Sequence, residues 1–496
     1  MTKHFCALLC LLSLLMSTAG AGDRTLPRPA ELEPAVAFWT QIYTEVPVDR
    51  GLIHDSGHDL VVYGQISVAR PPQWAERRAQ VRRGLERYRN ALKALAAQQG
   101  VPQDALQARI AERLPADIQT SDYEAIADRL RFQGGLKERF YEGLVRSGQW
   151  RGHIQSVLAA NGLPEELVAL PHVESSFNAL ARSHAGAAGL WQFTSGTGRE
   201  YMRVDPVLDE RLDPWLSTQA AAELLSDNYE QLKSWPLAIT AYNHGRNGMR
   251  RAVRDVGTSD YVTIRNEYKG SRFGFASRNF YPSLLAAAEV DRNAEQYFGP
   301  IPYADPVVPI RVTLKYYAPI EVLSAALGLT RAELQALNSG LGPSVWDGRK
   351  FVPSGYALAL PADPQIDWVA AVNALPLSQV YQGQRPSMEH VIVGGETLSG
   401  IAARYGVGVQ ALMAVNGVSN ANRIRAGQRL QLPTAGAMPV PVGGAMYVVR
   451  PGDTLGAIAA RHGVSAGDLA QLNALDNPNR LRVGQQLALV EGSAGP

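Results

Sequence analysis

The stretch from His172 to Arg199 reads HVESSFNALARSHAGAAGLWQFTSGTGR and holds a single carboxylate, Glu174. Just upstream, LPEELVALPHVE places Leu163, Leu167, Leu170 and Glu174 at spacings of four, three and four. On a helix those positions share one face. Pro164 suits a first helical turn, Glu165 and Glu166 suit the positive end of the helix dipole, and Pro171 predicts a kink just before the acid. A carboxylate therefore sits where the pattern calls for another leucine.

A Glu on an apolar face is paired, protonated or put to use. Desolvation raises its pKa from about 4.3, and catalytic acids are typically tuned to about 6–7. A structural Glu satisfied by backbone or a cation is the other reading. The flanking SHAGAAGLWQF is too small and flexible for ordinary core. Its glycines let backbone approach an extended ligand, while Trp191 offers a stacking face and Gln192 a hydrogen-bonding amide. Further on, WPLAITAYNHG carries Tyr242 and Asn243 to a helix end. An acid, an amide, a phenol and an aromatic wall suit a polysaccharide.

The rest of the chain sets bounds. At 496 residues and 46 % hydrophobic content it is long enough for more than one domain. MTKHFCALLCLLSLLMSTAGAGD has a Lys, an apolar run too short to span a bilayer, and a small-x-small site at Ala19–Ala21, which predicts a signal peptide over 1–21 and an exported, periplasmic, wall-associated product. Leu9 precedes Cys10 where a lipoprotein needs a small residue, which argues against lipidation. Cys6 and Cys10 both fall in this segment, so the mature chain has no thiol for disulfides or metal. The net charge of +2 includes Lys3, and no basic stripe supports nucleic-acid binding. No further apolar run predicts a transmembrane segment in the mature chain. HVE has the His-x-Glu half of a zinc-deaminase site, but the cysteine half is missing, and no His-Glu-x-x-His is present. His153, His172, His184 and His244 read as surface or groove residues; neither metal nor cofactor is expected.

The predicted order is a helical N-terminal region over 22–148, a mostly α domain over 149–298 that holds the opening motif, then small βααβ modules. HVIVGGETLSGIAARYGVGVQALMAVNGV recurs as YVVRPGDTLGAIAARHGVSAGDLAQLNAL. Gly395 and Gly452, Asn416 and Asn473, and Gly427 and Gly484 are each 57 residues apart, so the copies align without a gap. Each opens as a strand, and Thr397 is a plausible N-cap for a helix ending at Gly406. A second short helix and a closing strand follow. These copies, at 389–433 and 446–490, resemble LysM modules, which bind glycans containing N-acetylglucosamine. The resemblance rests on Gly395-Glu396-Thr397-Leu398, Gly452-Asp453-Thr454-Leu455, Asn416, Asn473 and the closing Gly-Gln pairs. It implies glycan-binding positions at Gly395, Thr397, Leu398, Asn416, Gly452, Asp453, Thr454, Leu455 and Asn473. A degenerate relative at 308–362, LTRAELQALNSG through VPSGYALALP, lacks the opening signature, which puts its glycan binding in doubt.

Glu174-Ser175, then SHAGAAGLWQ, then AYNHG resemble the lytic transglycosylase domain of the goose-lysozyme-like superfamily. The resemblance implies a lysozyme-like fold and peptidoglycan glycan strands as partner, and names no protein partner. It implies Glu174 as the catalytic acid, with Ser183, Trp191, Gln192, Tyr242 and Asn243 lining the cleft. The family's later Glu-Thr-x-x-Tyr corresponds here to ASRNFYPSLLAA, with Ala276-Ser277 for Glu-Thr and Phe280 or Tyr281 for the Tyr; Tyr281 is taken as the substrate-binding one. The implied reaction cleaves the MurNAc–GlcNAc β-1,4 bond and closes a 1,6-anhydro ring, without the second carboxylate of hydrolases. Asp205, Asp209, Glu210 and Asp213 read as structural, although one could serve a hydrolytic muramidase. A non-catalytic wall-binding scaffold is the third alternative.

Overall fold

The computed structural model describes residues 25–57, 60–387, 389–432, 441–442, 446–473, 475, 477 and 480–489. The expected signal segment with Cys6 and Cys10, and most of the linker at 433–445, lie outside the described residues. The chain divides into two compact units. One takes the residues up to Asn178 together with Thr218–Pro306, the other Ala179–Ser217 together with the residues from Val307 onward. Among the described residues no single helix is long and apolar enough to cross a membrane.

In the first unit, the region expected to be helical up to residue 148 contains a three-stranded antiparallel sheet, which corrects that expectation. β1 (Arg50–Asp55) lies between β2 (Val62–Ser67) and β3 (Leu130–Gly134). Every residue of β1 after Arg50 is buried, so the alternation that betrays a half-exposed strand is missing. One face of the sheet packs on the Trp74–Ala97 helix through Ile53, Tyr63, Leu92 and Leu95. On β1, His54 lies against Phe38 at 4.8 Å and Phe275 at 5.4 Å. Phe275 opens the long helix Phe275–Arg292, the spine of this unit. Pro282 inside that helix cannot donate to the Arg278 carbonyl. The Tyr261 hydroxyl and Arg265 Nε donate to it instead, both at 3.2 Å, so the helix continues.

In the second unit, three βααβ modules follow one another. β4 (Ile310–Thr313) pairs with β5 (Ala357–Leu360), β6 (Glu389–Val391) with β7 (Arg429–Gln431), and β8 (Met446–Val448) with β9 (Gln486–Ala488), all antiparallel. One asparagine staples each. Asn416 Nδ2 donates to the carbonyls of Leu412 and Gln431 at 2.7 Å, and its oxygen accepts from Gln431 N–H at 2.6 Å. Asn473 does the same with Leu469 and Ala488. Asn338, fully buried, does it with Leu334 and Ala359, and its oxygen also takes the Tyr356 hydroxyl. The side chain thus ties the last turn of the second helix to the closing strand, supplying partners that backbone groups at a helix end lack. The first of the three modules differs in two ways: a short helix, Pro343–Trp346, interrupts its closing loop, and Trp368 and Val372 of the Trp368–Asn373 helix join its core.

Candidate active site

Glu174 lies in the last turn of a six-residue helix, Leu170–Ser175. The single kinked helix expected here is corrected. A 3-10 helix, Glu165–Ala169, ends and a new helix begins, with Pro171 near its start, where a missing N–H costs nothing. Leu163, Leu167 and Leu170 are buried as their spacing requires, while Glu174 is only half-buried. Two residues after it the chain turns on Ser176 (φ 50°) and Phe177 (φ 56°), both left-handed and neither a glycine. Each such residue costs about 1 kcal/mol or more. Three contacts hold the turn: Phe177 N–H donates to the Pro171 carbonyl at 3.1 Å, Arg146 Nε donates to the Ser176 carbonyl at 3.0 Å, and the Phe177 ring is fully buried.

His172, expected at a surface or groove, is 4 % exposed and anchors this helix. Its ring stacks on Phe140 at 4.4 Å, and Nε2 lies 2.9 Å from Asp291 Oδ1. Asp291 is also gripped through both oxygens by Arg151. Burial pushes the Asp291 carboxyl up, but the hydrogen bonds from His172 and Arg151 outweigh it and hold it well below the usual carboxylate range. A polar residue inside the apolar run was the only hint in the sequence; its partner lies 119 residues away.

Desolvation pushes the Glu174 carboxyl up to about 8. It therefore holds its proton at neutral pH while part of the side chain stays accessible. The Tyr242 hydroxyl feels the same burial and, next, the charge of Glu174, and its pKa rises well above the ordinary phenol value. Tyr242 remains a protonated donor. Its ring lies parallel to that of Phe280 at 6.5 Å. Asn243 is exposed, and its Oδ1 accepts from Ser277 Oγ at 3.0 Å. The structure thus brings Glu174, Tyr242, Asn243, Ser277 and Phe280 together in the first unit.

Tyr281 does not join them, which corrects its assignment to substrate. It is fully buried, and its hydroxyl donates to the Pro27 carbonyl. Consecutive helix residues point about 100° apart. With Phe280 turned to Tyr242, Tyr281 turns into the core.

Ser183, Trp191 and Gln192 belong to the second unit. Ser183 is exposed, its Oγ accepting from Ala187 N–H at 3.0 Å. Gln192 is half-buried in a left-handed conformation (φ 48°), and its Nε2 donates to the carbonyls of Gly189 and Ala181 at 2.8 and 3.2 Å. The amide oxygen is then its free capacity, as an acceptor. Trp191 is 1 % exposed, so the expected stacking face is instead core. Gly189 serves the fold: at φ 84° a Cβ there would collide with the Arg211 carbonyl. Arg211, unremarked in the sequence, is buried and donates to the carbonyls of Gly186 and Phe193 at 2.9 and 3.0 Å.

The four downstream acids are engaged internally. Asp205 accepts from the N–H groups of Val207 and Leu208, Asp209 pairs with Arg211, Glu210 accepts from Arg203 N–H, and Asp213 pairs with Arg311.

The positions read as glycan-binding in the C-terminal modules also have places in the fold, and Gly395, Thr397, Gly452 and Thr454 are exposed. Gly395 and Gly452 turn at φ 88° and 85°. Thr397 and Thr454 cap helices by accepting from Gly400 and Ala457 N–H. Leu398 and Leu455 are core, Asn416 and Asn473 are the staples, and Asp453 accepts from Tyr447 and Arg450.

The arrangement is thus a helical unit presenting one protonated acid, and asparagine-stapled βααβ modules. Residues 154–264 match the family described as transglycosylase SLT domain, and residues 390–433 and 447–489 match the LysM domain. The chain is similar to membrane-bound lytic murein transglycosylase D of Escherichia coli strain K12, with 29 % identity over 71 % of this chain and 78 % of that one. It is also similar to N-acetylmuramoyl-L-alanine amidase sle1 of Staphylococcus saprophyticus, with 39 % identity over 21 % of this chain and 34 % of that one. Among solved structures it matches an inactive mutant of lytic transglycosylase Slt from Pseudomonas aeruginosa with a TM-score of 0.26 and 17 % identity, covering 47 % of this chain and 35 % of that chain.

Proposed function

We propose that this chain is a peptidoglycan lytic transglycosylase that cleaves the MurNAc–GlcNAc β-1,4 bond and leaves 1,6-anhydromuramic acid ends, acting in the periplasm after removal of residues 1–21. The observation that carries the reading is Glu174, a half-accessible carboxyl that burial lifts to about 8. Such a group enters the reaction protonated. Glu174 gives its proton to the glycosidic oxygen as the C1–O bond breaks and positive charge develops at the muramic anomeric carbon. The carboxylate then takes the proton of the sugar's own 6-hydroxyl as O6 bonds to C1. The ring closes, Glu174 is protonated again, and water is not consumed.

The Tyr242 hydroxyl donates toward Glu174 or the saccharide, and Asn243, oriented by Ser277, offers its amide N–H. The Gln192 oxygen accepts from a sugar hydroxyl. The internal engagement of Asp205, Asp209, Glu210 and Asp213 supports the single-acid route over hydrolysis, which needs a free second carboxylate. The LysM modules hold the enzyme on glycan and raise its effective concentration at a polymeric wall. Mass spectrometry of digested sacculi tests the reading. Products lighter by one water than reducing-ended ones are expected; reducing ends would make the enzyme a muramidase, and absence of turnover a scaffold.

A further inference from the structure

The stapled modules at 310–360 and 390–432 differ in what their closing loop does. In the module at 390–432 that loop is open, and Arg423, Ile424, Arg425 and Gln428 line a surface hollow of about 700 Å³. In the 310–360 module the corresponding loop is filled by the chain itself. Leu208 forms a bridge with Leu341 and is buried in the module's own core. Gly342 N–H donates to the Val207 carbonyl and Asp209 N–H to the Gly340 carbonyl, both at 2.8 Å. Ser339 Oγ donates to the Leu212 carbonyl at 2.7 Å. A Cβ on Gly342 would collide with the Pro206 carbonyl. From β4, Arg311 reaches Asp213 with both nitrogens of its fork, at 2.7 and 3.2 Å, and lies over the Trp215 ring at 5.4 Å. Asp213 is 2 % exposed, so this is a buried pair.

The grip continues beyond residue 213. Asp209 holds the Arg211 guanidinium at 2.8 and 2.9 Å, and Arg211 holds the Gly186 and Phe193 carbonyls on either side of Gln192. A continuous set of hydrogen bonds thus runs from the module to the segment that carries Gln192.

We propose that the 310–360 module is an internal brace: its closing loop, open in the neighbouring LysM module, is occupied by residues 206–212, and it fixes the 186–213 segment instead of binding the wall. Its effect on turnover rests on the reading of Gln192 as a substrate group. Loss of the Arg311–Asp213 pair leaves the buried Asp213 charge with only the Trp215 and Leu216 N–H groups and no cation, so its rupture loosens the segment.

The test uses the full chain carrying Arg311→Met, with Arg311→Lys as the conservative variant and Ser339→Ala as a milder break should Arg311→Met fail to fold. Amide exchange across residues 186–213 is expected to accelerate about tenfold or more in Arg311→Met, less in the other two, and to stay unchanged at 390–432. Turnover on soluble glycan strands falls roughly tenfold to a hundredfold, the scale of a small misplacement of a substrate-binding group. Sedimentation with sacculi, measured with Glu174→Gln also present, stays at the level of Glu174→Gln alone. Unchanged exchange at 186–213 in every folded variant overturns the brace, as does loss of sedimentation without a change in exchange, which would make the module a third glycan binder. Accelerated exchange with unchanged turnover upholds the brace and removes Gln192 from the substrate site.

Discussion

Two glutamates in this molecule have opposite surroundings. Burial lifts the Glu174 carboxyl to about 8. Glu396, in the first LysM module, accepts from Val393 N–H at 2.8 Å, lies 2.7 Å from His390 Nε2, and accepts from Arg404 at 2.6 Å; these bonds, the backbone one foremost, hold it down at about 2. Asp453 repeats the arrangement with Arg450 N–H and Tyr447. At neutral pH one carboxyl keeps its proton and the other is a charge committed to the fold. Residue type is shared; the partners within reach decide which chemistry survives.

The largest break in this comparison is Glu174→Gln. The amide keeps the volume but cannot donate and recover a proton, so turnover should fall by more than the roughly 10²–10⁴-fold typical of one general acid, because the same group serves both steps. Circular dichroism should show an unchanged helix signal. A variant that keeps a tenth of the wild-type rate would sink the single-acid assignment.

The pH dependences should run in opposite directions. Activity, read as kcat/KM, should be lost as pH rises through about 8, where free Glu174 gives up its proton. Its folded pKa is above the unfolded one. The associated stability is therefore complete below about pH 4.5 and lost as pH rises to about 8. Glu174→Gln should flatten that slope in denaturant titrations. Glu396 has a depressed pKa, so its contribution is present above about pH 4.5 and lost as pH falls toward about 2. Acid unfolding of the first LysM module, followed by amide exchange, should lose that slope in Glu396→Gln.

Tyr242→Phe should lower kcat several-fold, about the value of one ordinary hydrogen bond, with little change in KM. A rise in KM alone would reduce the hydroxyl to ground-state binding. On the other side of the comparison, Asn416→Ala removes the staple and leaves backbone groups of Leu412 and Gln431 short of partners, costing the module about 1–3 kcal/mol. Sedimentation with sacculi should weaken while turnover on soluble strands is unchanged. A parallel loss of turnover would mean that the module shapes the catalytic cleft.

The parts of this fold legible in the sequence are those governed by local rules. Leucine spacing buried Leu163, Leu167 and Leu170, Thr397 and Thr454 cap helices, and the 57-residue offset aligns two modules with identical staples. What local rules miss is set by partners far along the chain. β1 is buried on both faces and shows no alternation. Phe280 and Tyr281 differ by one step on a helix and both are buried; partners far along the chain, Tyr242 for one and Pro27 for the other, separate their surroundings. Trp191 reads as a stacking platform because it is aromatic beside glycines, yet Gly189 leaves the room that the Arg211 carbonyl fills. The LysM signature was legible because residues that define a turn or a cap recur wherever the turn or cap does.

The staple of the first LysM module has a chemical consequence that the other two lack. Asn416 is followed by Gly417, whereas Ser339 follows Asn338 and Ala474 follows Asn473. Asn-Gly is the dipeptide most prone to deamidation, since an unbranched neighbour lets the backbone nitrogen attack the side-chain amide. In the folded module that amide is occupied on both sides, and Gly417 N–H is directed at the Ala414 carbonyl. Conversion to aspartate therefore waits for the module to open, and afterwards places a carboxylate against two carbonyl oxygens. Each opening carries a chance of being recorded irreversibly. The mass of a peptide spanning Asn416 would keep the tally, and wall binding through this module would age with the protein.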